Sequence, residues 1–260
     1  MGRLDSKNIR VTRSGAGEPL VLLHCLGVDR RFWDFAAPLE DSFELVRYDF
    51  PGHGATPVPA AGYSIEDLTE QLVEVLSEQG ITKAHIAGIS LGGLVAQAFA
   101  AMYPERVDRL VLIDTTPRYT DELRGIWAER AATARKQGVT ALADDILKIW
   151  FSEPFIAADE PAVRYVREQL SRTPPEGYAL ACEALAAADL RLLLGRIAAP
   201  TLVLCGDKDI PSFLNAAKRL AAGIGEAQLA WITGGHHASV LEKPEDAVRR
   251  MRRFLAGTTG

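Results

Sequence analysis

Short apolar runs rich in β-branched residues alternate with amphipathic segments along most of this 260-residue chain. Six runs predict strands, at Leu20–His24, Glu44–Asp49, Ala84–Ile89, Arg109–Asp114, Thr201–Cys205 and Gln228–Ile232. A further run, Ile9–Arg13, predicts an edge strand that ends at the turn Ser14–Gly17. Strands that alternate with helices are typical of a mostly parallel, twisted sheet with helices on both faces. We therefore expect an α/β fold.

One helix can be delimited from the pattern alone. Apolar residues recur at helical spacing within Tyr63–Gln79. Ser64 and Asp67 form a start signal, because each side chain can bond to the backbone N–H of the other, and Gly80 is a stop signal. The pattern predicts an amphipathic helix between these residues.

The alternation stops between residues 117 and 195, where the sequence is alanine-rich, helix-like and without strand pattern. Prolines interrupt this stretch at Pro154, Pro161, Pro174 and Pro175. Helices inserted between two strands at the carboxyl edge of a sheet would lie over the place where such sheets bind ligands. We expect a core of residues 1–116 and 196–260, with a helical cap formed by residues 117–195.

Composition and charge exclude several classes of partner. Hydrophobic residues make up 48% of the chain and charged residues 24%, as in globular proteins. A net charge of −5 indicates binding neither to nucleic acid nor to an anionic membrane surface. No apolar run is long enough for a membrane span, and MGRLDSKNIR lacks the apolar core of a signal peptide, so a cytoplasmic location is expected. The sequence leaves the oligomeric state open.

The cysteines do not predict disulfide bonds. Cys25, Cys182 and Cys205 are odd in number and far apart, so we expect reduced, mostly buried thiols. The histidines lack the close spacing of dedicated metal sites, and neither a P-loop nor a complete G-x-G-x-x-G is present. The chain is expected to use no metal and no cofactor.

The segment Gly88-Ile89-Ser90-Leu91-Gly92 fits the pattern G-x-S-x-G, between a predicted strand and the helical run LGGLVAQAFAAMY. This strand, turn and helix setting is the one that a nucleophile elbow requires. A serine hydroxyl is a poor nucleophile near neutral pH and needs a base and an orienting acid. Ser90 is therefore a candidate nucleophile only if such partners follow.

Candidate acids and bases follow Ser90 in the sequence. After the insertion, a strand ends in GDKDIP, which offers Asp207 and Asp209, and the last strand is followed by the adjacent pair His236 and His237. The order Ser, Asp, His is that of α/β-hydrolases. Asp114 is a rival acid, because it also ends a strand between Ser90 and the histidines.

The segments LLHCLGVDRRFWD, RYDFPGHGATPVP, AGISLGGLVAQAFA, CGDKDIP and GGHHASVLEKPED together resemble the α/β-hydrolases. Within them, the chain is similar to the group of 3-oxoadipate enol-lactonases and related carboxylesterases, with Trp33 and its preceding VDRR favouring the lactonase branch. This resemblance implies that Ser90, Asp209 and His237 are the catalytic residues. It implies an oxyanion hole formed by the backbone N–H groups of Leu26 and Leu91.

Two positions depart from the family pattern, which usually has glycine where Cys25 and His236 stand. A Cβ at Cys25 restricts the backbone of the oxyanion loop. We interpret Cys25 as a buried thiol beside the site rather than a second nucleophile, and His236 as a neighbour that shapes the loop or lines the pocket.

The implied function is a serine hydrolase that cleaves a small ester or lactone through an acyl-enzyme, most similar to enol-lactonases. The alternatives left open are a broad carboxylesterase, a polyester hydrolase, a C–C bond hydrolase, a perhydrolase and a ligand-binding receptor of the same fold. Trp33, Trp127 and Trp150, with Cys25 and His236, are candidates to line the pocket. A substrate carboxylate would need a cation, and the sequence does not choose among Arg118, Arg124, Arg130 and Arg135.

Overall fold

Seven strands form a single sheet in the computed structural model, which describes Leu4, Ser6 and residues 9–257. The strands are β1 (Thr12–Gly15), β2 (Glu18–Leu23), β3 (Phe43–Arg47), β4 (Ala84–Ile89), β5 (Val107–Ile113), β6 (Thr201–Gly206) and β7 (Ala227–Ile232). Their spatial order is β1-β3-β2-β4-β5-β6-β7. All neighbours pair in parallel except β1, which runs antiparallel to β3. The predicted α/β sheet is confirmed.

The edge strand differs from its prediction. It spans Thr12–Gly15 instead of Ile9–Arg13, because its pairing with β3 runs from Thr12 opposite Arg47 to Gly15 opposite Glu44. Ser14 and Gly15, which the sequence assigns to the turn, therefore belong to the strand. Most of the amino-terminal segment 1–10, on which the expected lack of a signal peptide rests, lies outside the described residues.

Ten α-helices accompany these strands in the described part of the chain. They are α1 (Ile65–Glu78), α2 (Leu91–Met102), α3 (Asp121–Gln137), α4 (Ala143–Trp150), α5 (Glu153–Ala157), α6 (Pro161–Arg172), α7 (Pro175–Ala187), α8 (Pro211–Gly223), α9 (Ser239–Glu242) and α10 (Pro244–Leu255). The start of α1 is as predicted, since the Asp67 N–H donates to Ser64 Oγ and the Ser64 N–H donates to the Asp67 carboxylate. None of the helices in the described residues is both long and apolar enough to cross a bilayer.

Helices α3 to α7 all lie between β5 and β6 in the chain, where the sequence predicts the cap. The two ends of this insertion meet at an isolated bridge between Arg118 and Asp189, whose side chains are 3.5 Å apart. The insertion thus leaves and re-enters the sheet region at one place. Its division from the core as a separate domain stays a prediction.

The topology decides where functional side chains can meet. Strands β2, β4, β5, β6 and β7 are parallel, so the residues that follow them collect at one edge of the sheet. Strand β4 is central and runs directly into α2 through Ser90. This carboxyl edge is where the candidate site lies.

Candidate active site

Ser90 occupies a strained turn between β4 and α2. Its φ is +51°, a region that residues other than glycine rarely adopt and that costs about 1–3 kcal/mol. Two hydrogen bonds hold this conformation, because the Ser90 N–H donates to the Ile113 carbonyl at 3.0 Å and the Thr115 hydroxyl donates to the Ser90 carbonyl at 2.8 Å. The backbone is thus fixed at Ser90 by β5 and the residues that follow it.

Glycines at two positions allow this turn to form. A Cβ on Gly88 would lie 2.2 Å from the Gly92 carbonyl oxygen, and a Cβ on Gly92 would lie 2.2 Å from the Leu23 carbonyl oxygen. Both contacts are with backbone atoms, which cannot rotate away. The spacing of the motif is therefore set by close approach of α2 to β4 and β2.

A chain of two hydrogen bonds connects Ser90 to an imidazole and a carboxylate. Nε2 of His237 lies 3.3 Å from Ser90 Oγ, and Nδ1 of His237 lies 2.9 Å from Asp209 Oδ2. The other oxygen of Asp209 accepts the Ile210 N–H at 2.7 Å. With a proton on Nδ1 donated to Asp209, Nε2 is free to accept the serine proton. The structure brings together the three side chains to which the resemblance assigns catalysis.

The surroundings of His237 favour its protonated form. Burial lowers the pKa of the imidazole, but the charge and hydrogen bond of Asp209, with a contribution from Asp114, outweigh it and raise the pKa above its ordinary value. Phe213 packs against the imidazole at 4.3 Å between ring centroids. The ring is thus held in place by packing as well as by Asp209.

The helical insertion also holds the loop that carries the histidine. The His237 N–H donates to the Ile149 carbonyl at 3.4 Å, and the Ala238 N–H donates to the Trp150 carbonyl at 3.1 Å. These carbonyls belong to the last turn of α4, where they have no partner within the helix. The position of His237 therefore depends on the insertion.

Asp114, the rival acid, makes different bonds. It directly follows β5, has a φ of +42° and is buried, and one carboxylate oxygen accepts the Gly206 N–H at 2.9 Å. The other oxygen accepts the Ser239 hydroxyl at 2.6 Å and the Ser239 N–H at 3.3 Å. Burial, with the nearby charge of Asp209, raises the pKa of Asp114 to about 7. Asp114 thus bonds to Gly206 of β6 and to Ser239, whereas Asp209 bonds to the imidazole of His237.

Asp114, Asp209 and Cys205 form the one group in the described residues whose ligand atoms lie close enough to hold a metal ion, within 4.8 Å of one another. Their bonding opposes that use. The carboxylate oxygens already accept hydrogen bonds from the backbone, Ser239 and His237. Burial raises the pKa of the Cys205 thiol, whereas metal binding needs a thiolate. This donor set does not fit a metal.

The second histidine faces away from the nucleophile. Nδ1 of His236 lies 3.0 Å from Glu242 Oε2, and the same oxygen accepts the His236 N–H at 2.7 Å. The other oxygen of Glu242 accepts the Ser152 N–H from the insertion at 2.8 Å. His236 thus joins the loop to Glu242, as in the first of the two roles expected for it, and it is not among the residues that line the cavity, which was the second.

The amides of Leu26 and Leu91 are free to bind an oxyanion. Neither N–H has a hydrogen-bond partner among the described residues, and Leu26 lines the cavity beside Ser90. Leu91 is the first residue of α2, where backbone N–H groups point outward and favour negative charge. The Leu26 loop is held by His24, whose Nε2 accepts the Phe50 N–H at 2.9 Å and whose Nδ1 lies 2.7 Å from the Cys25 carbonyl.

A cavity that is partly open to solvent extends from Ser90 and His237 under the helical insertion. Its other walls are mostly apolar or aromatic: Leu26, Tyr119, Leu123, Ile126, Trp127, Arg130, Ile146, Ile149, Trp150, Tyr178, Ile210 and Phe213. Trp127 and Trp150 are therefore placed as the sequence predicts. A concave site with mostly apolar walls and a few polar groups is typical of sites that bind small organic molecules.

Two further predicted pocket residues do not line this cavity. Trp33 is wholly buried in the 3-10 helix Arg30–Asp41, where it packs against Phe32 and Phe35 at 5.8 and 5.6 Å between ring centroids. Cys25 is buried as well, and burial raises the pKa of its thiol well above the ordinary value. Neither side chain lines the cavity, because both are packed in the core, and the burial of Cys25 agrees with its interpretation as a buried thiol.

Several lining residues were not singled out from the sequence. Leu123 and Ile126 are two of these, and with Trp127 and Arg130, which were named from the sequence, they stand at positions i, i+3, i+4 and i+7 of α3, the spacing of one helix face. This spacing could have indicated from the sequence that the four residues share one face of the helix. Arg130 is the cationic residue on that face. Tyr119 had a weaker signal, as an aromatic residue shortly after the end of β5 at the carboxyl edge.

Comparison with known proteins agrees with this architecture. The model of the alpha/beta hydrolase family matches residues 20–251. The chain is 32% identical to 3-oxoadipate enol-lactonase 2 of Acinetobacter baylyi over 87% of this chain and 84% of that protein. It is 30% identical to the pimeloyl-[acyl-carrier protein] methyl ester esterase of Chromobacterium violaceum over 95% of this chain and 98% of that protein. The crystal structure of the enol-lactonase from Burkholderia xenovorans superposes with a TM-score of 0.91 at 31% identity, over 95% of this chain and 96% of that one.

Proposed function

The chain belongs to the alpha/beta hydrolase family, and we propose that it hydrolyses carboxylic esters or lactones by a serine mechanism, with a carboxylate-bearing enol-lactone of the 3-oxoadipate type as its substrate. The observation that carries the proposal is the hydrogen-bonded series Ser90, His237 and Asp209 at the floor of the cavity. A small molecule in this cavity would meet the serine hydroxyl directly.

In the proposed first half-reaction, Ser90 Oγ bonds to the carbonyl carbon of the substrate while its proton moves to Nε2 of His237. Asp209 keeps the imidazole in the tautomer that accepts this proton and stabilises the imidazolium that forms. The bond between the carbonyl carbon and the leaving oxygen then breaks, and His237 returns the proton to that oxygen. For an enol-lactone, the leaving oxygen stays attached to the acyl group as an enol.

The carbonyl oxygen becomes negative in the tetrahedral intermediate, and the amides of Leu26 and Leu91 are the proposed donors to it. Each well-placed donor lowers the barrier by about 3 kcal/mol. In the second half-reaction, His237 takes a proton from water, which attacks the acyl carbon. The bond between this carbon and Ser90 Oγ then breaks, His237 returns the proton to Ser90 Oγ, and the acid is released. These steps need no cofactor.

Arg130 favours a substrate that bears a carboxylate. It lines the cavity, and its guanidinium lies 5.0 Å from the centroid of the Trp127 ring, while no acidic residue among those described pairs with it. The other three arginines are paired outside the cavity, Arg118 with Asp121, Arg124 with Asp121 and Arg135 with Glu176. A guanidinium without a carboxylate partner, in the wall of a mostly apolar cavity, suits an anionic group on the substrate.

The second candidate function is a carboxylesterase of broad substrate range. It is favoured by the apolar character of the cavity walls, which would accept the acyl chain of a neutral ester. The relationship to a methyl ester esterase points the same way. In that case Arg130 would remain solvated or stacked on Trp127 when the substrate binds. A cytoplasmic location stays part of the proposal in both cases.

Two measurements test the proposal. A fluorophosphonate probe should label the folded protein at Ser90, and Ser90→Ala should prevent labelling. A panel of a carboxylated enol-lactone, saturated lactones and p-nitrophenyl esters of rising chain length should then show turnover of the enol-lactone above all others. Broad ester turnover without enol-lactone turnover would support the second candidate. Absence of labelling in folded protein would contradict both and favour a binding protein.

A further inference from the structure

Tyr119 presents an unused hydroxyl beside the nucleophile. The residue is 1% exposed, and its hydroxyl has no hydrogen-bond partner among the described residues. Its side chain lines the cavity together with Ser90 and His237. The mechanism above assigns no task to this group.

The hydroxyl is not required for packing. The Tyr119 ring contacts Trp127 at 5.2 Å and Phe213 at 6.1 Å between ring centroids, both in an edge-on arrangement. A phenylalanine would make the same ring contacts without burying a polar atom that lacks a partner, which is unfavourable. Because the hydroxyl lies in the wall of the reaction cavity, a bound substrate can supply the missing acceptor.

The side of Ser90 on which Tyr119 lies follows from the order of the strands. Ser90 follows β4, Leu26 follows β2 on one side of it, and Tyr119 follows β5 on the other. The loop that carries His237 follows β7, which lies on the same side as β5. The proposed donor to the carbonyl oxygen from Leu26 and the imidazole that protonates the leaving oxygen thus approach from opposite sides. Tyr119 belongs to the side of the imidazole.

We propose that the Tyr119 hydroxyl donates a hydrogen bond to the leaving oxygen of the ester or lactone while its bond to the carbonyl carbon breaks. This inference rests on the proposed function. The electron pair of the breaking bond goes to the leaving oxygen, and the proton that this oxygen receives comes from His237. Tyr119 keeps its own proton throughout and acts as a donor only.

The environment of Tyr119 suits that role. Burial raises the pKa of the phenol above its ordinary value, and the neighbouring Ser90 side chain opposes this effect only in part. The hydroxyl therefore stays protonated at every pH at which the imidazole can act as a base.

The test compares Tyr119→Phe with the wild type on acetate esters of substituted phenols with increasing leaving-group pKa, ending with an alkyl ester. A donor to the leaving oxygen helps most where negative charge on that oxygen is greatest. We expect kcat/KM to fall about tenfold for the alkyl ester, the equivalent of one lost hydrogen bond. The fall should vanish for p-nitrophenyl acetate, so that the variant depends more steeply on leaving-group pKa.

Tyr48→Phe is the matched control. Tyr48 is also 1% exposed with an unpaired hydroxyl, but it does not line the cavity. Both variants should keep or raise the thermal unfolding midpoint, and Tyr48→Phe should leave the leaving-group dependence unchanged. An equal loss on every ester in Tyr119→Phe, or no loss at all, would overturn the inference while Ser90 labelling upheld the proposed function. A wild type that is neither labelled nor active on any ester would overturn both.

Discussion

The carboxylate of Asp114 accepts a hydrogen bond of 2.6 Å from the hydroxyl of Ser239, two residues after His237. Asp114 directly follows β5, whereas Ser239 begins α9. This bond ties the loop of the imidazole to the middle of the sheet. It also occupies the carboxylate that, from sequence, competes with Asp209 for the role of catalytic acid.

The two carboxylates should differ in what they contribute. Asp209→Asn removes the acceptor that sets the tautomer of His237, so we expect kcat to fall by about 10⁴-fold with little change in stability. Asp114→Asn weakens its bonds to Gly206 and Ser239, so we expect a loss of about 1–3 kcal/mol in the free energy of unfolding and a much smaller loss of kcat. Steady-state kinetics and urea unfolding of both variants check this. The opposite ranking of kcat would assign the acid role to Asp114.

The adjacent histidines provide a second contrast. His237→Ala removes the base that lies 3.3 Å from Ser90, and we expect kcat to fall at least about a thousandfold. His236→Ala loses the contact between the imidazole and the buried Glu242 carboxylate, which keeps its two backbone donors, and kcat should change less than about threefold. Ester hydrolysis by purified variants measures both. A larger loss in His236→Ala would show that the imidazoles have been assigned to the wrong roles.

The pH profile should report His237. Since only neutral imidazole can accept the serine proton, kcat/KM should rise with pH through a pKa above the ordinary histidine value of about 6.5. Asp209→Asn should move this inflection to lower pH, since it removes the charge that raises the pKa. Because the raised pKa means that His237 binds its proton more tightly in the folded than in the unfolded protein, protonation of His237 stabilises the fold. This contribution is complete at pH values below the pKa of the unfolded protein, and it is lost as pH rises through the pKa of the folded protein. An inflection at a pH below the ordinary pKa of histidine would contradict the prediction.

The close packing at the elbow should make Gly92 intolerant of a side chain. Gly92→Ala would place a Cβ 2.2 Å from the Leu23 carbonyl oxygen, so we expect a loss of about 1–3 kcal/mol in the free energy of unfolding. Gly125 in α3 is exposed, and a methyl group there would meet no atom within 4 Å, so Gly125→Ala should instead gain about 0.5–1 kcal/mol. Chemical unfolding distinguishes the two. Equal stability of the variants would exclude close approach at Gly92.

Arg130 should distinguish charged from neutral substrates. Arg130→Met removes the cation and keeps a long side chain, so kcat/KM for a carboxylated lactone should fall about tenfold to a hundredfold. Neutral p-nitrophenyl esters should be hydrolysed as before or faster. Arg124→Met, in the same helix but outside the cavity wall, is the control and should change neither substrate class. Equal losses on both substrate classes in Arg130→Met would show that Arg130 has a structural role instead.

Features that depend on a few neighbouring residues were predictable from the sequence. Strand β4, the turn at Ser90 and the capped start of α1 are as predicted, because glycine spacing, β-branched runs and capping pairs act within one or two turns of chain. The spatial closeness of Ser90, Asp209 and His237 was implied only through the resemblance to a known family. Their roles in catalysis remain to be measured.

The sequence by itself determined the α/β alternation, the place of the helical insertion and the identity of the candidate nucleophile, because periodicity and turn chemistry are local. Only the tertiary structure decided that Asp209 and not Asp114 contacts His237, that Trp33 packs into the core while Trp150 lines the cavity, and that Arg130 is the arginine in its wall. The physical reason is that these outcomes depend on how strand ends and inserted helices meet in space. Residues with the same local pattern then receive different partners.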